Sequence, residues 1–221
     1  MKKQYAHKQR TQMSAEILAS TPPSGYYAER HFGEAFVSPL WVKFTDNDYE
    51  EWVGCFSRQN EPLDAVLTDT VNETSLVVAG GKGVLVDVHT KEVVSELENV
   101  PLITSAIHTI HPEYFLIGTS DCIYSIDSGR NIKSIKPDFW VDGIYFTEQK
   151  GDCAIGHLSS YEYHQDVNVG FELDLRTNEI TIDTTIKIRR FGLFELIHVT
   201  KKDAKVSEGL FTRLLRRFIR S

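Results

Sequence analysis

The run Leu76-Val77-Val78-Ala79-Gly80-Gly81, followed by Val84-Leu85-Val86-Asp87-Val88 and then by Thr90 and Val93-Val94, decides the fold because it recurs. A second copy reads Phe115-Leu116-Ile117-Gly118, Ile123-Tyr124-Ser125-Ile126-Asp127 and Ile132. A third reads Cys153-Ala154-Ile155-Gly156, Gly170-Phe171-Glu172-Leu173-Asp174-Leu175, Thr177 and Ile180. Each unit is an apolar strand ending in glycine, a turn, a second strand closing on an apolar residue and aspartate, a tight turn and a third strand. Asp87 and Asp127 are 40 residues apart, and Asp127 and Asp174 are 47 apart. Self-similarity at such a period marks an array of supersecondary units. The first strand of each unit is apolar at consecutive positions, as a strand covered on both faces must be. The aspartate is suited to accept backbone N–H bonds in the turn it precedes. Because it recurs in every unit, its expected role is structural.

Outward from the repeat, the chain changes character. Phe36-Val37, 40–44 and 52–56 read as strands with a turn at Asp46-Asn47-Asp48, a degenerate further unit. Tyr49 and Trp52 are expected on one side of a short helical turn leading into the last of these strands. Residues 1–20 read as helical, with Ser14 capping a short turn, and Thr21-Pro22-Pro23-Ser24-Gly25 ends any such helix. Ser207 and Glu208 suit a helix start, and Phe211, Leu214, Leu215, Phe218 and Ile219 follow helical spacing opposite Arg213, Arg216, Arg217 and Arg220. The expected organisation is an N-terminal helix and linker over 1–34, a repeat β domain over 35–200 and a basic amphipathic helix over 201–221. The fold class is mainly β: repeated antiparallel units with short terminal helices, the closure of the sheets left open.

The element Val86-Asp87-Val88-His89-Thr90-Lys91-Glu92-Val93, with its echo Leu173-Asp174-Leu175-Arg176-Thr177-Asn178-Glu179-Ile180, resembles the repeats of quinoprotein-type and WD-type β-propellers. The resemblance covers about residues 64–186 and implies propeller-like blades, either as a partial propeller or as a curved stack of small sheets. The count of three clear units and the missing WD dipeptide depart from that family. The aromatic lead-in Trp41-Val42, Phe44, Trp52-Val53-Gly54 and Phe56, together with Trp140 and Asp142-Gly143-Ile144, resembles small uncharacterised bacterial proteins that include toxin immunity proteins.

Charge narrows the function classes. Of a net −7, residues 1–20 carry +3 and residues 201–221 carry +5, which leaves −15 for 21–200. An acidic body repels phosphate backbones, so the main domain is not expected to bind nucleic acid. A basic protein partner fits it better, and the arginine-faced C-terminal helix suits an anionic membrane surface. No apolar stretch approaches the ~20 residues that cross a bilayer. The N-terminus lacks the apolar run of a secretory signal, so a cytoplasmic location is expected.

No constellation meets the minimum for catalysis, and no cofactor is expected. His108 and His111 point to opposite faces of a strand and lack further ligands, so no metal site is expected. His157 and His164 flank Ser159, Ser160, Tyr161, Glu162 and Tyr163, with Asp166 beside them, but no Gly-x-Ser-x-Gly elbow exposes a nucleophile. That segment reads as an enlarged polar hairpin. Asp46, Asp48, Glu50 and Glu51 cluster beside Tyr49 and Trp52 without the spacing of a calcium loop. In both segments carboxylates sit beside aromatics, the composition of a charged rim around contact anchors. The candidate partner-binding residues are therefore Asp46, Asp48, Tyr49, Glu50, Glu51, Trp52, Tyr161, Glu162, Tyr163 and Asp166. The function expected is non-catalytic: an immunity protein that neutralises a basic bacterial toxin by masking it. A membrane-surface or scaffold module using the C-terminal helix is the alternative, and a hydrolase using His157 or His164 comes third.

Cys55, Cys122 and Cys153 form no CxxC pair, and Cys122 and Cys153 lie in apolar runs. The unreduced protein is expected to have the mass of a chain with three thiols and to carry no stoichiometric zinc; a disulfide or bound zinc contradicts this reading.

Overall fold

A computed structural model describes residues 13–34, 38–110, 113–137, 141–162 and 165–182. Among them are sixteen strands and no helix. They form four sheets of four strands each. The first holds β1 (Ser14–Ile17), β2 (Ala28–Phe32), β3 (Leu40–Thr45) and β4 (Glu51–Phe56). The second holds β5 (Ala65–Asp69), β6 (Thr74–Ala79), β7 (Lys82–Asp87) and β8 (Glu92–Glu96). The third holds β9 (Ser105–Ile110), β10 (Glu113–Gly118), β11 (Ile123–Asp127) and β12 (Ile132–Ile135). The fourth holds β13 (Gly143–Lys150), β14 (Cys153–Glu162), β15 (Gln165–Asp174) and β16 (Ile180–Ile182).

The last three sheets are antiparallel meanders in chain order, as the repeat predicts. Asp87, Asp127 and Asp174 close the third strand of each. The first sheet is the degenerate unit and is wired differently. Its order is β1-β3-β4-β2, and β2 runs parallel to β4.

Packing follows from the alternation of side chains along a strand. Every residue of β6 is buried. Its Val77 and Ala79 join Leu40, Val42, Phe44, Trp52 and Phe56 of the first sheet in one apolar cluster. Leu76 and Val78 point the other way, into a cluster with Phe115, Ile117 and Ile126 of the third sheet. Leu116 and Ile123 of the third sheet then meet Ile144, Leu158, Phe171 and Leu173 of the fourth. The sheets thus stack in series, with β1 against β5, β5 against β9 and β9 against β13. Among the described residues no comparable joint connects the fourth sheet back to the first.

Polar ties reinforce these joints. The Trp52 ring stacks on Phe44 at 4.3 Å, and its Nε1–H donates to the Val88 carbonyl of the second sheet at 3.0 Å. Ser105 Oγ donates to the Ile144 carbonyl at 2.8 Å and accepts from the Phe146 N–H at 3.1 Å, linking the third and fourth sheets. Gly80 has a φ of +56°, and a Cβ there would stand 2.1 Å from the Gln59 carbonyl oxygen, so glycine is required where the 57–64 segment crosses the β6–β7 turn.

Two expectations need correction. Ser14–Ile17 is an edge strand paired with β3, not the end of a helix. Met13 is buried in the first joint with Ala15 packed against it, and Lys43 holds Glu16 at 2.6 Å, so tertiary pairing overrides a weak helical signal. Among the described residues the first sheet thus takes in Ser14–Ile17, and β2 lies within the segment read as linker. Tyr49 and Trp52 share no helical turn: Tyr49 occupies a hairpin turn and Trp52 a strand. Residues 1–12, Phe36-Val37 and the C-terminal helix assigned to 201–221 lie outside the described residues.

Truncation of Trp52 to Ala is expected to destabilise the protein by ~3–5 kcal/mol through the cavity it leaves. Trp52→Phe keeps most of the volume but orphans the Val88 carbonyl, and is expected to cost ~1–3 kcal/mol. Urea unfolding of both variants checks the order; a Phe variant as stable as the wild type removes the hydrogen bond from this account.

Candidate functional site

The acidic segment of the first sheet is a hairpin turn built on Asp46. That side chain is only 3% exposed. Its Oδ1 accepts the N–H of Asp48 at 2.8 Å and that of Glu50 at 2.9 Å. The Tyr49 N–H donates to the Asp46 carbonyl at 3.2 Å, with Tyr49 at a φ of 68°. Asp46 is therefore the internal brace of the turn, and the exposed residues are Asp48, Tyr49, Glu50 and Glu51. Trp52 is 0% exposed and belongs to the first joint. Neither side chain is exposed: Trp52 is buried in the joint, and two backbone N–H groups occupy Oδ1 of Asp46 while its Oδ2 lies 3.9 Å from His89 Nδ1.

The same construction recurs along one rim of the array. Asp69 Oδ1 accepts from the N–H of Val71 and of Asn72, both at 3.0 Å. Asp87 holds the Thr90 N–H at 2.8 Å, and Asp127 holds that of Asn131 at 2.9 Å. Asp174 holds Arg176 at 2.8 Å and Thr177 at 3.1 Å. The Asn131 backbone and side-chain bonds hold the Asp127 carboxyl below the usual carboxylate range, and the Arg176 and Thr177 N–H groups do the same for Asp174.

Each turn also forces a non-glycine residue into the left-handed region: Tyr49, Glu73, Lys91, Arg130 and Asn178. Such a residue is normally disfavoured there. Two of them reach the preceding sheet. Lys91 Nζ lies 2.9 Å from Glu50 Oε2, and Arg130 lies 3.7 Å from Asp87. Asn47 donates to Glu73 across the first joint, and the Val88 N–H donates to the Glu73 carbonyl at 2.9 Å. The turns are thus fixed to one another as well as to their own strands. Sequence reading found Asp87, Asp127 and Asp174 as turn aspartates but missed Asp69, the bracing role of Asp46 and these partners; the residue three or four positions after each aspartate was the available signal.

No protein-family model and no curated protein matches the chain. What the site can do is therefore argued from its geometry.

The second candidate segment lies at the opposite rim. β14 and β15 pair over ten residues each, from Cys153↔Asp174 to Glu162↔Gln165. Among the described residues β13 accompanies β14 as far as Ser159, and β16 meets β15 at Phe171, Glu172 and Leu173. Tyr161, Glu162 and Asp166 therefore sit at the hairpin end of β14 and β15, the far end from Asp174. Tyr163 and His164 lie outside the described residues. The structure brings the two acidic segments to opposite ends of the sheets, not to one surface.

The remaining candidates are placed as follows. His157 lies in mid-strand and stacks on Tyr145 at 4.9 Å. His108 packs against Phe115 at 5.1 Å, and His111 is outside the described residues. Among the described residues no three His, Cys, Asp or Glu side chains gather around a metal position. The clefts on the rim are small. One, lined by Asp69, Leu85, Phe115, Asp127 and Arg130, has room for about 10 Å³, far below the ~300 Å³ of typical small-molecule sites.

Because the folded carboxyls of Asp127 and Asp174 titrate below their unfolded value of about 3.9, their contribution is complete above that pH. It is lost as pH falls through the lowered folded values. The double variant Asp127→Asn and Asp174→Asn is expected to be less stable than the wild type at pH 7 and to show a flatter loss of stability between pH 5 and 2. Urea midpoints across that range check the sign; parallel acid limbs contradict it.

Proposed function

We propose that this protein is a non-catalytic binding protein of the immunity type, which neutralises a basic toxin domain by docking on it and masking its active surface. Its scaffold is the propeller-like array, and its contact surface is the rim bearing Asp48, Tyr49, Glu50 and Glu51. The observation that carries this reading is the braced turn on Asp46: exposed carboxylates around an exposed aromatic, on a backbone already fixed before any partner arrives. Preorganisation lowers the entropy lost on binding. The net −15 of residues 21–200 supplies a long-range field that draws in a cationic partner. Glu50 and Glu51 rest on Lys91 and Lys43 of the same chain. Partner cations would replace or supplement these exposed pairs, each of which contributes little on its own. The cationic substrate-binding face of a nuclease-type toxin is a natural complement.

The test is kinetic. The probe is the protein encoded by the gene adjacent to this one, measured by surface plasmon resonance. Asp48→Asn, Glu50→Gln and Glu51→Gln together are expected to slow association about tenfold at low salt, with the difference shrinking as screening shortens to ~8 Å at physiological ionic strength. The same series with Glu162→Gln and Asp166→Asn examines the opposite rim. Co-expression of the wild type should protect cells from the probe. An association rate indifferent to both series, or no protection, overturns the proposal.

A further inference from the structure

We propose that residues 183–188 of this chain dock on the edge of β15 along 165–170, carrying the pairing begun by β16 to the hairpin end of the fourth sheet. These six residues lie outside the described residues, and their place follows from the register of the strand they continue. The inference is independent of the binding-protein reading above.

β16 meets β15 with Ile180 opposite Leu173, Thr181 opposite Glu172 and Ile182 opposite Phe171. Ile180 and Ile182 pack against the buried cluster between the third and fourth sheets, while Thr181 is exposed. β15 runs on from there to Gln165 at its other end and is paired with β14 over that whole length. Continued without a shift, the same register sets Thr184 opposite Val169, Ile186 opposite Val167 and Lys187 opposite Asp166.

Two separate sequence patterns agree at this register. Along β15, Val167, Val169, Phe171 and Leu173 alternate with the polar or small Asp166, Asn168, Gly170 and Glu172. Along the arriving segment, Ile180, Ile182, Thr184 and Ile186 alternate with Thr181, Asp183, Thr185 and Lys187. Directly opposed residues of an antiparallel pair share a face of the sheet. The isoleucines therefore fall on the face of the valines, and Lys187 falls on the face of Asp166. A slip of one residue would turn every isoleucine to the other face. The occupant is this segment rather than a foreign strand because the chain delivers it there directly after Ile182, in register, at an effective concentration that a separate chain does not match. Lys187 is followed by Arg189 and Arg190. The same chain thus brings cations to the hairpin end that bears Glu162 and Asp166, which leaves the rim bearing Asp48 and Glu50 as the acidic face offered to a partner.

The experiment uses the full chain. Hydrogen exchange read residue by residue by NMR is expected to show alternate amides of 183–188 exchanging at least about a hundredfold more slowly than in an unstructured chain. Exchange of all six at the unstructured rate overturns the proposal. The register is tested by cross-linking in a Cys153→Ser background, where the remaining Cys55 and Cys122 are buried. Asn168→Cys with Thr185→Cys sets two thiols at opposed positions, ~4.5–5.5 Å apart at Cα, within the span of a disulfide. Mild oxidation is expected to close this bond within one chain. Asn168→Cys with Thr184→Cys puts the thiols on opposite faces and is expected to stay open. A control that closes as readily overturns the register, and a bond that forms between two chains assigns the edge to a second copy instead. Lys187→Glu is expected to speed exchange over 183–188 about threefold, the size of one cross-strand charge pair, and adding Asp166→Lys is expected to restore it. An effect of Lys187→Glu that Asp166→Lys leaves untouched overturns the pairing of these two positions.

Discussion

A four-stranded sheet whose middle strands are apolar on both faces cannot stand alone, and the rest of this protein's architecture answers that constraint. β6 is buried along its whole length because the first sheet covers one face and the third covers the other. Burial at roughly 25 cal/mol per Å² of apolar surface rewards each sheet for finding two neighbours rather than one. The result is a series in which each joint is a miniature core, and the hairpin turns are pushed out to two rims. Aspartate-capped turns then do a second job. They satisfy backbone N–H groups that would be orphaned at the strand ends, and they hold the chain in the conformation from which Lys91 and Arg130 reach the preceding sheet.

This arrangement separates rigidity from composition. The rim is polar and exposed, which in many proteins means a mobile loop. Here the turns on Asp46, Asp69, Asp87 and Asp127 are short, braced by a carboxylate and tied to a neighbouring sheet, so a polar surface is presented on a fixed backbone.

Much of the array was legible in the sequence because its signals are local. The apolar runs, the glycines and the recurring aspartates fix strands and turns within a few residues, and β6 to β8, β10 to β12 and β14 to β16 match them closely, whereas β5, β9 and β13, which open each sheet, lie outside the three-strand unit that the sequence showed. The first sheet was harder to read. Ser14–Ile17 becomes a strand only because β3 is there to pair with it, and no local pattern announces the parallel partnership of Ala28–Phe32 with β4. The candidate site was half legible for the same reason. Carboxylates and aromatics can be counted in a sequence, but whether Trp52 faces outward or into the joint depends on the neighbouring sheet. That Asp46 is consumed by its own turn depends on geometry three residues away.

The order of strands in the first sheet bears on how the chain is made. In the other three sheets each strand pairs with the one just before it, so each can assemble as it leaves the ribosome. In the first sheet β2 has no partner until β4 has been synthesised, and β1 waits for β3. For that interval two unmatched strands and, soon afterwards, the aromatic face of Phe44, Trp52 and Phe56 remain uncovered until the second sheet arrives to close over them. The N-terminal quarter of the chain thus depends more than any other part on residues synthesised after it. The window before β8 is complete is when a nascent chain most needs protection from its neighbours.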